Sequence, residues 1–361
     1  MKFGILGSGS WATAIAKILT DNGHLIHWWF RSDKAIQQMM SRHHNPHYLS
    51  MVNFNTSQLT LTTNVAQVIQ AASHIIIAIP SAYTADTLLQ LPRDIFAGKK
   101  IVSAIKGILP AQNQLLNDFL KDEFDVPVEN YFAVLGPCHA EEVASEKLSY
   151  LTLSGVDASA TRQLAHAFKN TYINTVENND IYGVQFAAIL KNIYAVGAGI
   201  AHGLDYGDNF LSVLIANSAD EMAGFLKKSG IQNLEVGSID HSITQHSRQP
   251  APVAEEEPVV KKLGFVNNYA ASVYLGDLLV TCYSLYSRNR TFGNMIGKGY
   301  SVKSAQLEMS MVAEGYNASK CMYMINQAVQ AEMPIAETVY QILWQNLSPE
   351  EGFNKIEQVL V

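Results

Sequence analysis

A glycine-rich turn stands almost at the start of the chain, between a short apolar run and a strongly helical one. Residues 4–19 read GILGSGSWATAIAKIL. Gly7 permits a tight turn, Gly9 lets the backbone approach an anion closely, and Ala12 is small enough for the following helix to pack on a sheet. The free N–H groups at the start of that helix then point towards the anion. The stretch predicts a Rossmann-like unit that holds the pyrophosphate of a dinucleotide.

Short apolar runs alternate with helical stretches as far as about residue 179. The strand candidates are FGILG, LIHWWF, LTLTT, HIIIAI, KIVSAI, YFAVLG, YLTLSG and TYINTV. Several are apolar without alternation, which is typical of a parallel sheet covered on both faces. We therefore predict that residues 1–179 form a doubly wound α/β domain that binds NAD(P).

After residue 180 the sequence changes to long helical stretches with apolar faces. VQFAAILKNIYAVGAGIAHGL and NFLSVLIANSADEMAGFLKK come first, and strand signals are few. Residues 180–361 are predicted to form an all-helical substrate and catalytic domain. One segment, at about 232–266, combines prolines with a run of three glutamates. Because this composition buries little apolar surface, we expect an exposed insertion there.

Composition and charge limit the classes of function. Of the 361 residues, 48% are hydrophobic and 16% are charged, and the formal net charge is −7. The absence of long like-charge blocks argues against a nucleic-acid partner or an anionic-membrane surface. Cys138, Cys282 and Cys321 show no disulfide or zinc spacing, so we expect a reducing compartment and no metal site. No secretory signal precedes the first strand, and apolar runs such as 74–80 are too short to span a bilayer, so a cytoplasmic protein without membrane insertion is expected.

Two lysines stand where chemistry is expected. Lys106 follows a strand, at the carboxyl edge where ligands bind in such sheets. Lys191 lies in an apolar helical run, where a charged lysine must reach water, find a partner or lose its proton. Such a lysine can serve as a general acid or base, and Asn192 beside it can hold a substrate hydroxyl. A lysine that extends to the surface stays open as the plain alternative.

Arginines mark two further candidate sites. Arg288 and Arg290 flank Asn289 in a short turn, which suits bidentate contacts to phosphate, although a solvated surface turn has the same composition. Arg31 ends the second predicted strand, where NAD enzymes often carry an acid that holds the ribose 2′-hydroxyl. Because an arginine can pair with a 2′-phosphate instead, we expect NADP to be accepted.

Taken together, the motifs resemble those of NAD(P)-dependent glycerol-3-phosphate dehydrogenase of the soluble bacterial kind. They follow the family's order as G-S-G-S-W-A-T-A, I-K-G, G-P, L-K-N, G-D-L-L-V-T-C-Y, S-R-N-R-T-F-G and V-A-E-G-Y. The resemblance runs from about residue 3 to 345. It implies a Rossmann-like domain followed by an all-α domain like the C-terminal domain of 6-phosphogluconate dehydrogenase. The implied activity is reversible NAD(P)H-dependent reduction of dihydroxyacetone phosphate to sn-glycerol 3-phosphate for phospholipid synthesis, by a cytoplasmic homodimer.

The resemblance, joined to the glycine turn, assigns roles to individual residues. Lys191 would be the proton acceptor, with Asp277 and Lys106 as its catalytic partners. The substrate-binding residues would be Lys106, Gly136, Cys138, Asn192, Thr281, Ser287, Arg288 and Asn289. The cofactor-binding residues would be Gly7, Gly9, Ser10, Trp11, Ala12, Arg31, Lys106, Ala140, Arg288, Val312 and Glu314.

Three stretches depart from the family's pattern. Cys138-His139 replaces Ser-Phe, 216–218 reads Ala-Asn-Ser instead of Thr-Arg-Gly, and Gln185 stands where an acid is common. A thiol is a weaker donor than a hydroxyl, and His139 is expected to fill the phenylalanine's space. Two other functions stay open: a related two-domain reductase of another small hydroxy acid or phosphorylated substrate, and a non-catalytic dinucleotide sensor. The sensor would require the catalytic lysine or aspartate to be missing.

Overall fold

The structure is a computed structural model that describes residues 1–230, 271–309 and 313–361. The expected insertion at 232–266 lies outside the described residues, and so does Val312. Eight strands of the described chain form one sheet in the order β3-β2-β1-β4-β5-β6-β7-β8. They are β1 (Phe3–Leu6), β2 (Ile26–Trp29), β3 (Leu59–Thr62), β4 (His74–Ile77), β5 (Lys100–Ser103), β6 (Tyr131–Leu135), β7 (Ser149–Gly155) and β8 (Ile173–Asn178). Each predicted strand overlaps one of them, which confirms the doubly wound α/β class.

The sheet differs from a fully parallel one at a single strand pair. β7 runs antiparallel to β6, with Phe132 opposite Gly155. The connection between these strands contains only a five-residue helix, α6 (Ala140–Ala144). That helix is about 8 Å long, too short to carry the chain back across a strand of about 17 Å. The chain therefore re-enters the sheet from the carboxyl edge, and β8 then pairs in parallel with β7.

Six longer helices cover the sheet in this part of the chain. They are α1 (Ser10–Asp21), α2 (Asp33–Arg42), α3 (Val65–Ala71), α4 (Ser81–Leu88), α5 (Leu116–Phe124) and α7 (Ala158–Phe168). Side chains of Ser32, Asn64 and Asp157 accept backbone N–H bonds at the starts of α2, α3 and α7. Such caps satisfy the first orphan donors of a helix. For α1, by contrast, no side chain in the described part of the chain supplies a cap.

The remaining elements within residues 181–230, 271–309 and 313–361 are helical, as predicted. They are α8 (Ile181–Gly203), α9 (Asp208–Lys228), a π-helical turn (Ala271–Gly276) that leads into α10 (Asp277–Tyr283), α11 (Arg288–Gly297), α12 (Val302–Glu308), α13 (Glu314–Val329), α14 (Pro334–Trp344) and α15 (Pro349–Glu357). α8 is the central helix, and α11 crosses it closely because Gly199 and Gly293 face the other helix's backbone without a Cβ. This crossing places the start of α11 beside the middle of α8.

By length and composition, α8 is the one described helix that could cross a membrane, with a mean hydropathy of 1.4. The expectation that every apolar run is too short overlooked it. In the fold, 94% of that window is buried against the rest of the protein. α8 is apolar because it packs in the interior of the protein, as core helices usually do.

Candidate active site

A cleft of about 880 Å³ lies where the carboxyl edge of the sheet meets the helices that follow it. On the sheet side it begins at β1 and β4, which are neighbours in the sheet although β2 and β3 lie between them in sequence. This is the point where strand order reverses, and ligands of open α/β sheets bind there. On the helical side its wall comes from α8, α10, α11 and the start of α13.

The glycine turn has the geometry of an anion cradle. Gly7 has φ +120°, and a Cβ on it would lie 2.5 Å from the carbonyl oxygen of Ala78. The indole Nε1 of Trp28 donates to the carbonyl of Gly7 at 2.6 Å, and Asn45 Nδ2 donates to that of Ser8 at 3.0 Å. Gly9 faces open space, with no atom within 4 Å of the position of a Cβ. The loop is therefore fixed from behind and open in front, beside the uncapped N-terminus of α1.

These features fit a dinucleotide cofactor. The space in front of Gly9 can take a pyrophosphate, whose charge would meet the N–H groups of the first turn of α1. Arg31 is exposed just after the end of β2 in the same cleft, whose lining also includes the rings of Trp29, Tyr48 and Tyr83. A guanidinium among aromatic rings suits stacking on adenine and pairing with a phosphate.

Lys191 is buried at the floor of the cleft and forms an ion pair with Asp277. Its side chain is only 3% exposed, and that of Asp277 is 1% exposed. The pKa of Lys191 is lowered to about 8, chiefly by burial and also by Lys106, while Asp277 opposes both effects. The lysine is thus neither snorkelled to the surface nor simply neutral. It can give up or take a proton near neutral pH.

Two asparagine amides tie the two walls of the cleft together. Asn192 Nδ2 donates to the carbonyl of Lys106 at 2.7 Å, and its Oδ1 accepts from Asn289 Nδ2 at 2.9 Å. Asn289 Oδ1 in turn accepts from the backbone N–H of Gly315 at 2.9 Å. The chain of bonds connects the end of β5 to α8, α11 and α13. Much of the hydrogen-bonding capacity of both amides is therefore used to hold the site together.

Lys106 reaches into the cleft from the sheet edge. Its ammonium donates to the backbone carbonyl of Cys138 at 3.3 Å and lies 5.0 Å from the ring centroid of Trp11. Because this contact uses the main chain, exchanging serine for cysteine at 138 does not remove it. Burial raises the pKa of the Cys138 thiol to about 11, so the thiol stays protonated.

The start of α11 supplies a fourth cation to the cleft, after Arg31, Lys106 and Lys191. Arg288 is the first residue of that helix and is exposed into the cleft. Ser287 precedes it as the N-cap, and its hydroxyl accepts from the backbone N–H of Arg290 at 3.3 Å. Glu314, at the start of α13, accepts from the hydroxyl of Ser81 at 2.5 Å, and burial raises its pKa. The start of α13 is therefore hydrogen-bonded directly to the start of α4.

Most residues singled out from the sequence line this one cleft. They are Gly7, Gly9, Ser10, Trp11, Arg31, Lys106, Cys138, Ala140, Lys191, Asn192, Thr281, Ser287, Arg288, Asn289 and Glu314. Three others lie behind its surface. Ala12 is buried in the sheet-facing core, and Asp277 is buried against Lys191 and Thr281 of the lining. Gly136 is buried with φ +127°, and a Cβ on it would lie 2.8 Å from the carbonyl oxygen of Tyr150.

Sequence reasoning missed part of the lining. Ser81, at the start of α4, donates to Glu314 of the cleft lining, and the strand order that brings α4 to the site becomes visible only in the folded sheet. The rings of Tyr48, Tyr83, Tyr286 and Tyr316 also line the cleft. Nothing in the sequence separates them from other surface tyrosines.

The departure at Gln185 has a structural explanation. Its Oε1 accepts from the Tyr131 hydroxyl at 2.7 Å, and its Nε2 donates to Asn117 Oδ1 at 3.0 Å. All three side chains are buried. A neutral amide satisfies both neighbours without placing a charge in the interior.

Comparison with known proteins gives the family. The family described as NAD-dependent glycerol-3-phosphate dehydrogenase N-terminus matches residues 2–161, and the corresponding C-terminus family matches 180–242 and 251–354. The chain is 31% identical to glycerol-3-phosphate dehydrogenase [NAD(P)+] of Bacillus pumilus, over 98% of this chain and 93% of that protein. It is 32% identical to the protein of the same name from Listeria monocytogenes, over 97% and 94%.

A solved structure agrees at the level of the fold. The glycerol-3-phosphate dehydrogenase of Coxiella burnetii superposes with a TM-score of 0.82 at 24% identity, covering 99% of this chain and 98% of that one. Sequence and architecture therefore lead to one conclusion: the chain belongs to the NAD-dependent glycerol-3-phosphate dehydrogenase family.

Proposed function

We propose that the chain catalyses the reversible NAD(P)H-dependent reduction of dihydroxyacetone phosphate to sn-glycerol 3-phosphate. The observation that carries the proposal is that one cleft joins the glycine turn, the buried Lys191–Asp277 pair and Arg288. The relatives named above have this activity in their names, and the chain matches them over nearly its whole length. This activity is that of an oxidoreductase. We also propose that the protein acts in the cytoplasm as a homodimer and that its product supplies the glycerol backbone of phospholipids.

The reaction requires a hydride at the ketone carbon and a proton at the ketone oxygen, and the bound nicotinamide supplies the hydride. Lys191 gives its proton to the oxygen as negative charge develops there, and burial favours the neutral amine that remains. In the oxidative direction the neutral amine takes the hydroxyl proton back. Asp277 holds the ammonium in place through the ion pair, and Thr281 donates to the Asp277 backbone carbonyl at 2.5 Å.

The remaining roles follow from charge and position. Arg288, with Ser287 and Asn289 beside it, binds the substrate phosphate and fixes the ketone carbon against the nicotinamide. Lys106 contacts both ligands from the sheet edge. The glycine turn, Arg31 and Glu314 line the cleft and would hold the cofactor there. We also propose that residues 1–179 form the cofactor domain and residues 180–361 the substrate domain.

Oxidation of reduced nicotinamide, followed by its absorbance, tests the proposal. Purified protein is mixed with dihydroxyacetone phosphate and either NADPH or NADH, and Lys191→Ala is assayed in parallel. We expect turnover with the parent protein and its loss in Lys191→Ala, with cofactor binding retained in both. Binding of both cofactors without turnover by the parent protein would contradict the assignment and favour another substrate or a sensor.

A further inference from the structure

His139 lines the catalytic cleft and has no role in the chemistry described so far. It precedes α6, in the connection between β6 and β7. Its ring lies 6.1 Å from that of Tyr286, centroid to centroid, at an angle of 47°. Nδ1 is shielded from solvent, and no residue in the described ranges offers it a hydrogen bond.

The charges around His139 keep its imidazole neutral. Burial, Lys106, Lys191 and Arg288 lower the pKa of His139 to about 4, and Asp277 opposes them. An imidazole with this pKa is not a proton donor at neutral pH, so His139 does not compete with Lys191 as the acid. It instead offers one hydrogen-bond donor and one acceptor.

The surroundings of the ring also decide which nitrogen meets a ligand. A buried N–H without an acceptor is rarer than a buried acceptor without a donor, so the proton is favoured on Nε2. Nε2 is the distal nitrogen of a side chain that lines the cleft. In that tautomer His139 offers a neutral N–H donor from a side chain that lines the cleft.

We propose that His139 recognises the substrate hydroxyl that does not react, an inference that rests on the proposed function. The substrate brings three oxygen-bearing groups to the cleft. The phosphate is anionic and is matched by Arg288, and the ketone oxygen gains charge and is matched by Lys191. The remaining primary hydroxyl is neutral and both donates and accepts. Its oxygen can accept a hydrogen bond from the neutral Nε2–H of His139, which brings no further charge to the hydroxyl.

The test compares two ketones that differ only in that hydroxyl. Values of kcat/KM are measured for dihydroxyacetone phosphate and for its deoxy analogue hydroxyacetone phosphate, and their ratio is the readout. His139→Phe keeps a ring without nitrogens, and His139→Gln keeps an N–H near the position of Nε2. His202→Phe makes the same change at an exposed histidine on α8 outside the cleft and serves as the control.

We expect the parent protein to prefer the hydroxylated ketone and His139→Phe to reduce the ratio by about tenfold or more. His139→Gln should restore much of the preference, and His202→Phe should keep it. A ratio unchanged in His139→Phe overturns the inference even if both rates fall, because a structural role slows both substrates alike. A parent protein without preference overturns it too. If His139→Phe does not fold, His139→Leu provides the comparison. Failure of the parent protein to reduce either ketone would contradict the proposed function instead of this inference.

Discussion

The two walls of the cleft are built in different ways. On the sheet side, the anion cradle consists of backbone: a turn at Gly7, an open approach at Gly9 and the uncapped start of α1. On the helical side, the site consists of side chains such as Lys191 and Asp277, brought together by helices far apart in sequence. A backbone site depends on a few consecutive residues. A side-chain site depends on how the whole domain packs.

The contrast has an energetic side. The glycine turn would bind an anion with the main-chain N–H groups at the start of α1, and this uses no buried charged side chain. Lys191 is a charge in the interior, and its burial is tolerated because Asp277 is buried beside it. The helical wall is therefore where single substitutions should have their largest effect on catalysis, and the sheet wall where they should act on cofactor binding.

Removing the charge of Lys191 should have the largest effect. Lys191→Met keeps the length of the side chain but has no transferable proton, and we expect kcat to fall by about a thousandfold or more. Single-turnover rates with saturating cofactor measure the loss. Lys17→Met is a matched control, because Lys17 is also buried in an ion pair, with Asp21 and Glu146, away from the cleft. Lys17→Met should lower the stability of the protein and leave kcat of the folded protein nearly unchanged. Equal losses of kcat in both variants would contradict a catalytic role that is specific to Lys191.

Neutralising Asp277 should have a smaller and asymmetric effect. Asp277 raises the pKa of Lys191, so Asp277→Asn should bring that pKa below about 8 and leave less ammonium at neutral pH. We expect ketone reduction at pH 7 to fall by about a hundredfold and alcohol oxidation to fall less, because oxidation uses the neutral amine. Values of kcat at saturating substrate and cofactor, measured in both directions, check this. Equal losses in the two directions would mean that Asp277 positions the lysine without tuning its proton.

Two glycine substitutions separate fold from binding on the sheet wall. In Gly9→Ala the new methyl enters the open space that would hold the pyrophosphate, and we expect cofactor affinity to fall by about tenfold with little change in stability. In Gly7→Ala the methyl meets the carbonyl of Ala78 at a backbone angle of φ +120°, and stability should fall by about 1–3 kcal/mol. Thermal unfolding and cofactor titration distinguish the two outcomes. Loss of stability in Gly9→Ala would contradict an open cradle.

Arg31→Ala should have the smallest effect. The side chain is exposed, so its contribution to pairing with a 2′-phosphate is screened by solvent and salt. We expect the ratio of kcat/KM for NADPH to that for NADH to fall by about fivefold at low salt and by less at high salt. A ratio that does not change would assign Arg31 to stacking on adenine, which is common to both cofactors.

Most residues of the sheet wall, and the central residues of the helical wall, could be predicted from the sequence alone. A glycine turn between a strand and a helix is a local pattern, and Lys191 is conspicuous because its neighbours are apolar. The antiparallel β7 was not predictable from its own residues, because its direction follows from the shortness of α6. The roles of Asn192 and Asn289 in joining the two walls were equally hidden, since each amide finds its partners on other elements.

The central claim is that Lys191 carries the transferred proton, and pH profiles of kcat in the two directions test it most directly. The pKa of about 8 predicts that ketone reduction falls as pH rises through this value, because the ammonium is the acid. Alcohol oxidation should rise through the same value, because the neutral amine is the base. Opposite limbs near pH 8, both absent from the residual activity of Lys191→Met, would bear out the account. Limbs that run in the same direction, or that persist without the lysine, would contradict it.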